Sequence, residues 1–475
     1  MATAVVVGSG PNGLAAAVHL ARHGVAVRVL EAAPVIGGGA RSSPLTLPGL
    51  IHDDCSAVHP AAVASPYLRS LGLEKYGLRW RWPPIDLAHP LDSGAAGVLW
   101  RDIGRTAREM GVDGRAWLRV FGPLSRDFDD LAEDVFRPIP HLPAHPVTLA
   151  SFGLRALAPA TWAARRWRRA ETRALFAGAA AHAFGSLHAP LSAAIGLLLI
   201  AAGHAYGWPV AEGGSRSIVD ALAALLTDLG GVIETGVRVE SLDELAGFDV
   251  ALLDVSPLAA LRIAGRRLPP RIARAYARFR YGPAAYKVDF AVEGGVPWRD
   301  EYSRHAGTVH LGGTLEEVAA AEESVARGRM PARPFVLVGQ QYLADPSRSS
   351  GGLHPVWAYA HVPHAHPGLA TEAIVDQIER FAPGFRHRVA ARHIRTVPKM
   401  AAYNPNYVGG DIATGASTGA QLLFRPRPAL DPYSTGIPGV FLCSSATPPG
   451  PGVHGMCGYH AARAALRHLG HGARR

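Results

Sequence analysis

Apolar residues first gather in a short β-branched run, Val5 to Val7, which reads as a central strand of a parallel sheet. A glycine-rich gap follows. Leu14 to Arg22 is then Ala-rich at helical spacing, and a second strand pattern from Val25 to Leu30 closes on Glu31. The order strand, turn, helix, strand predicts a βαβ unit. Residues 44–75 read as a hairpin or loop, then a short helix capped by Ser65 with Pro66 at its first position. Residues 76–104 read as sheet (Leu78–Trp82 and Gly97–Trp100), and residues 105–205 as mainly helical with a proline-rich break from Pro138 to Pro146. A helix from Ile218 to Leu229 precedes a hairpin-like strand pair over Gly230–Leu242, and Phe248–Asp254 is one more strand. Alternation from Tyr281 to Val292 opens a second sheet, which Thr308–Leu311, Phe335–Gln341 and Val356–Val362 extend. A helix over Thr371–Phe381, a strand over Val389–Val397 and a turn-rich segment over Tyr403–Ile412 follow. A strand from Gly439 to Cys443, a loop and a helix from Cys457 to Leu466 come last.

The first gap carries chemistry. Gly8-Ser9-Gly10-Pro11-Asn12-Gly13 has the GxGxxG spacing between strand and helix. The first glycine allows the tight turn, the second lets backbone approach a pyrophosphate, and the third lets helix pack on strand. The helix N-terminus offers unpaired N–H groups to phosphate. Glu31, placed eighteen positions past Gly13, can accept both hydroxyls of an adenosine ribose and would repel a 2′-phosphate. An adenine dinucleotide is therefore expected. A second glycine turn with an arginine, Gly37-Gly38-Gly39-Ala40-Arg41-Ser42, can lie along the diphosphate of a cofactor that stays bound. Gly450-Pro-Gly452-Val453-His454-Gly455 also matches GxGxxG, but no second strand and no ribose acid follow it. Its better reading is a helix N-terminus aimed at a redox ring.

Composition narrows the class. The chain has 475 residues, 48% hydrophobic and 18% charged, enough for two or three domains. No apolar run reaches the roughly eighteen residues of a spanning helix; the longest, Ala193 to Gly203, suits a buried helix or a tunnel wall. The N-terminus lacks a basic region before its apolar run, so no signal peptide is expected and the assignment is cytoplasmic. A net charge of +10 comes from scattered arginines, which argues against nucleic acid. One cluster, Arg165-Arg-Trp-Arg-Arg169, is either a solvated helix face or a peripheral contact with anionic lipid. Cys55, Cys443 and Cys457 form no CxxC, which excludes a dithiol relay. The 22 histidines show no metal-ligand spacing, and no metal is assigned.

Five motifs together resemble the phytoene desaturase (carotenoid desaturase and isomerase) family of FAD oxidoreductases, within the amine oxidase superfamily, and its phytoene dehydrogenase-like branch. They are Val7–Leu14, Gly37–Ser42, Gly282–Asp289, Asn404–Asp411 and Leu442–Met456. The resemblance implies an α/β (α+β) fold: a Rossmann-like FAD-binding domain built from residues 1–75, 206–265 and 425–475. A mixed-sheet substrate domain with a helical cap takes residues 76–205 and 266–424. It implies FAD held by Gly8, Ser9, Gly10, Pro11, Asn12, Gly13, Glu31, Ala32, Gly38, Gly39, Ala40 and Arg41. Val239 would meet the adenine, and Ser445, Gly452, Val453, His454, Gly455 and Met456 would meet the flavin. Where carotenoid desaturases carry Gly-Ala-Gly-Thr-His-Pro-Gly, this chain has Ser444-Ser-Ala-Thr-Pro-Pro-Gly450, so a C40 polyene is not implied.

The activity expected is removal of two electrons from a C–C unit of a hydrophobic small molecule, isoprenoid or polyketide-like. His454, Tyr403, Asn406 and His361 are the candidates to line the pocket and move protons. Alternatives are an amine- or alcohol-type flavin oxidase and a flavin-bound scaffold without turnover. A nicotinamide-linked dehydrogenase is weakened by the missing second fingerprint. Nothing in the sequence specifies an oligomeric state.

Overall fold

The computed structural model describes residues 1–139, 141–417 and 419–470. The chain opens with β1 (Thr3–Val7), α1 (Pro11–Ala21) and β2 (Ala26–Glu31). After a two-stranded ribbon (Ser42–Ser43 with His52–Asp53) come β3 (Ile85–Pro90) and β4 (Ala96–Leu99). Helices then dominate, among them α2 (Pro146–Ala156), α3 (Ala170–Ala181) and α4 (Ala193–Tyr206). Helix α5 (Arg216–Asp228) leads to β5 (Val232–Thr235) and β6 (Val250–Leu253). The strands β7 (Ala284–Glu293), β8 (Ala306–Leu311), β9 (Val336–Gly339) and β10 (Leu353–Val362) follow, then α6 (Thr371–Phe381) and β11 (Val389–Arg395). Strand β12 (Val440–Leu442) and α7 (Met456–His468) finish the described chain.

Two sheets organise these elements. The first has the order β12-β6-β1-β2-β5 and is parallel throughout, with Val5 beside Ala251 and Arg28. Both faces of β1 are apolar because both are covered: Ala4 and Val6 pack towards α1 and α5, Val5 and Val7 towards the helices over 257–264 and 270–277. The second is a mixed sheet in the order β11-β7-β10-β9-β8-β3-β4, in which only β8 and β3 run parallel. Val288, Phe290, Val309 and Val338 face α6, whereas Leu87, Leu337, Trp357 and Tyr359 face the helical layer.

Most of the expected elements are present, and α6 has the expected bounds. Ser65 caps its short helix by accepting from Leu68 N, with Pro66 first. One expectation needs correction. Gly230–Leu242 is not a strand pair. Only Val232–Thr235 is strand, parallel to β2, because Gly236 takes a positive φ of 75° and turns the chain across the end of β2. There Gly236 N and Val237 N donate to Ala33 O and Glu31 O. In β7 the polar positions are not solvent-facing: Lys287 and Asp289 are buried and pair with each other.

The ribbon at 42–53 fastens the two sheets together. Arg348 donates to Asp53 Oδ2 at 2.5 Å and to Ala211 O at 2.6 Å. Arg395, at the end of β11, donates to Asp54 Oδ1 and Asp54 O, both at 2.7 Å.

Candidate functional site

The carboxyl ends of β1, β2 and β6 open onto one cleft of about 890 Å³, the position where parallel α/β sheets bind ligands. Its walls come from four distant stretches: Val7–Asn12, Leu30–Arg41, Val237–Asp254 and the loop at 444–453. Tyr403, Asn406, Tyr407 and Arg395 close one side.

At the first turn Gly8 has φ +103°, and a Cβ on it would stand 2.9 Å from Asp254 O. A Cβ on Gly13 would meet Gly8 O at 2.1 Å, so helix and strand touch there. The second turn lies directly on the first: a Cβ on Gly38 would come within 3.0 Å of Gly10 Cα. Glu31 is held between them. Its Oε2 accepts from Ser9 N at 2.9 Å and Ser9 Oγ at 2.6 Å, and its Oε1 accepts from Ala33 N at 2.8 Å. Arg41 stands 3.5 Å from Glu31 Oε1 and donates to Val35 O and Ile36 O, which shapes the loop between turn and strand.

Of the expected cofactor contacts, Gly8 to Asn12, Glu31, Ala32, Gly38, Gly39, Arg41, Val239, Ser445, Gly452 and Val453 line this cleft. Gly13, Ala40, His454, Gly455 and Met456 do not. They stand behind it and hold the turns and α7 in place. The His454 ring lies inside its own loop: its Nδ1 accepts from Met456 N at 3.0 Å and its Nε2–H faces Gly450 O at 3.2 Å. Burial pushes its pKa down to about 4, so the ring is neutral and both nitrogens are engaged.

The other proton-moving candidates separate. Tyr403 lines the cleft between two guanidinium groups, Arg395 at 4.2 Å and Arg41 at 5.5 Å from the ring centre, and its hydroxyl donates to Gly38 O at 2.7 Å. Burial pushes its pKa up, which makes it a clamp on the glycine turn rather than a base. Asn406 bridges the end of β6, accepting from Ser256 N at 2.8 Å and donating to Asp254 O at 3.1 Å. His361 is elsewhere. It is buried on β10, with Nδ1 2.9 Å from both Glu322 oxygens and its ring against Phe184.

One acid was not among the candidates. Asp254, at the end of β6, accepts from Gly13 N at 2.9 Å. It therefore sits at the N-terminus of α1 and lines the cleft. Burial first, and the charge of Glu31 after it, push its pKa up to about 7 against the pull of Gly13 N–H. Sequence spacing could not reveal this, because the contact joins residues 254 and 13 through sheet order alone.

A family model for an NAD(P)-binding Rossmann-like domain matches residues 6–71. Pyridine nucleotide-disulfide oxidoreductase domain-containing protein 2 of Mus musculus is 26% identical, over 98% of this chain and 93% of that protein. An oxidoreductase from Methanosarcina mazei shares the fold with a TM-score of 0.63 at 15% identity, covering 98% of this chain and 100% of that one. A putrescine oxidase with putrescine bound aligns with a TM-score of 0.60 at 16% identity over 99% of each chain. The chain thus carries an N-terminal Rossmann-like nucleotide-binding domain and a large mixed sheet in the fold of these oxidases, with a mammalian relative similar along nearly its whole length.

Proposed function

We propose that the protein is an FAD-dependent oxidoreductase that takes two electrons from a C–C unit of a hydrophobic substrate held against the flavin. One observation carries the reading: both glycine turns, Glu31 and residues 451–453 of the terminal loop border a single cleft. The residues suit the cofactor. A Cβ on Gly10 would stand 2.8 Å from Asp254 Oδ2 and one on Gly38 would meet Gly10, so only glycine leaves room for a diphosphate there. Glu31 would hold the ribose, Gly8 to Asn12 and Arg41 the diphosphate, and Gly452 with Val453 the far end. When bound, the flavin supplies two-electron acceptance from a C–H bond.

The chain's own groups do the rest. Tyr403 and Asn406 fix the turn and the strand end that shape the cleft. Asp254, on the cleft wall, is poised to exchange a proton near neutral pH.

Oxidation of a C–N or C–O bond is the second reading, and a specific feature favours it. The face of the second sheet turned to the helices is not purely apolar: His89 and His310 point at Gly178 of α3, and Lys287 with Asp289 lies buried in the same sheet, three strands away from His310. Purification with added FAD, followed by anaerobic titration with polyprenyls, alcohols and amines, separates the readings. Bleaching of the visible flavin band by polyprenyls supports the first and bleaching by amines or alcohols the second. A flavin that binds and is never bleached points to a scaffold. A protein that takes up NAD(H) and no FAD overturns the proposal.

A further inference from the structure

Residues 137–170 contain six arginines (137, 155, 165, 166, 168 and 169) and no aspartate or glutamate. Helix α2 lies in this stretch, and Ala156 is its single buried residue. Its exposed positions 147, 150, 154 and 157 repeat at intervals of three, four and three, which is one face of a helix, and they are Val, Ala, Leu and Leu. Val147 is 82% and Leu154 76% exposed. Leu142, 92% exposed, precedes the helix, and Trp162, also exposed, follows it. This inverts the usual pattern, in which the outward face is polar. Of the arginines beside it, Arg169 pairs with Glu171 and Arg155 and Arg166 bond to the Ser151 and Ala163 carbonyls, whereas among the described residues the side chains of Arg165 and Arg168 meet no carboxylate; Asp113 takes only the backbone N–H of Arg168 and Arg169.

We propose that this face of the helical layer seats the protein on a bilayer containing anionic lipid. Helix α2 lies in the interfacial plane with Val147, Leu154, Leu157 and Trp162 among the acyl chains, and Arg165 and Arg168 meet the headgroups. At eleven residues α2 is far too short to span. A second copy of the chain is the poorer occupant, because a two-fold contact would set arginine against arginine, and the nearest carboxylates, Asp130, Glu133 and Glu171, already face His145 and Arg169 of their own chain. The proposal does not depend on the cofactor reading.

Co-sedimentation of the full-length protein with large vesicles of phosphatidylcholine, with and without phosphatidylglycerol, tests it. Binding is expected on the phosphatidylglycerol vesicles, weakening in 0.5 M salt. Arg165→Gln with Arg168→Gln should lower the partition coefficient roughly tenfold or more, and Leu154→Ser with Leu157→Ser should abolish binding. Circular dichroism and melting temperature should stay at wild-type values in both pairs. Absence of binding at every composition, or variants that bind like wild type, overturns the proposal. So does a dimer in light scattering that Leu154→Ser with Leu157→Ser dissolves, which would assign the face to a second copy.

Discussion

Asp254 shows how one side chain can tie the cleft to pH. Its carboxyl is favoured neutral below about 7, whereas in an unfolded chain it ionises near 3.8. The raised folded value means its stabilising contribution is complete below 3.8 and lost as pH rises through 7. Asp254→Asn keeps an oxygen for Gly13 N–H and removes the buried charge. Between pH 5 and pH 8 the variant should gain on the order of 2–3 kcal/mol of stability over wild type in urea denaturation. The diphosphate of FAD repels an ionised Asp254, so wild-type affinity should fall as pH climbs from 6 to 9 while the variant stays nearly flat. A flat wild-type profile by fluorescence titration refutes this role. At this scale the sequence spoke through residues whose roles are local. Gly8, Gly10 and Glu31 belong to one continuous βαβ segment, so their spacing is their geometry. Asp254, Arg395 and Tyr407 reach the same cleft only through sheet order, and no spacing records that. His454 and His361 carried the right chemistry in name, but burial and partners, which follow from packing, turned both away from the cleft.

At Gly458, α7 rests directly on the backbone of α1. A Cβ on Gly458 would stand 1.8 Å from Asn12 O and 2.7 Å from Asn12 C, both rigid backbone. Ala is the better helix former by about 1 kcal/mol, so Gly458→Ala would stabilise α7 if the helix stood alone. Here it must push α7 off α1 at the turn that lines the cleft. We expect a net loss of at least ~2 kcal/mol and a tenfold or greater loss of FAD affinity, read by thermal melting and titration. An unchanged melting temperature would mean that the helices can separate freely. The elements themselves were legible where period and length agreed, as in α6 and the long β7. They were misread where a glycine redirected the chain: the apolar residues after Gly236 have strand character, but its left-handed backbone sends them across strand ends as cleft wall.

Buried and half-buried imidazoles (His182 and His460 are the half-buried ones) run through the molecule as a whole. His89 and His182 lie between the second sheet and the helices, His204 lies on α4, His59 beside Ser215, and His454 and His460 at the C-terminal end. Burial lowers their pKa values to about 4, and that of His182 to about 3, from 6.5. Because the folded values are depressed, the unfolded chain takes up protons first, and stability is retained above 6.5 and lost as pH falls towards 4. Urea denaturation should show stability falling by several kcal/mol per pH unit below about 6. Equal midpoints at pH 7.5 and 5 would contradict this.

The first sheet takes β1 from residues 3–7 and its edge strand β12 from residues 440–442, and α7 leans on α1. During synthesis the ribosome releases the opening glycine turn hundreds of residues before the strand and helix that complete its wall. A nascent chain must therefore keep β1 and α1 available, shielded or chaperoned, until residues 440–468 have been made. On the proposed reading, cofactor capture waits for residues 440–468, and a ribosome-stalled chain ending before residue 440 should not take up flavin, however perfect its fingerprint.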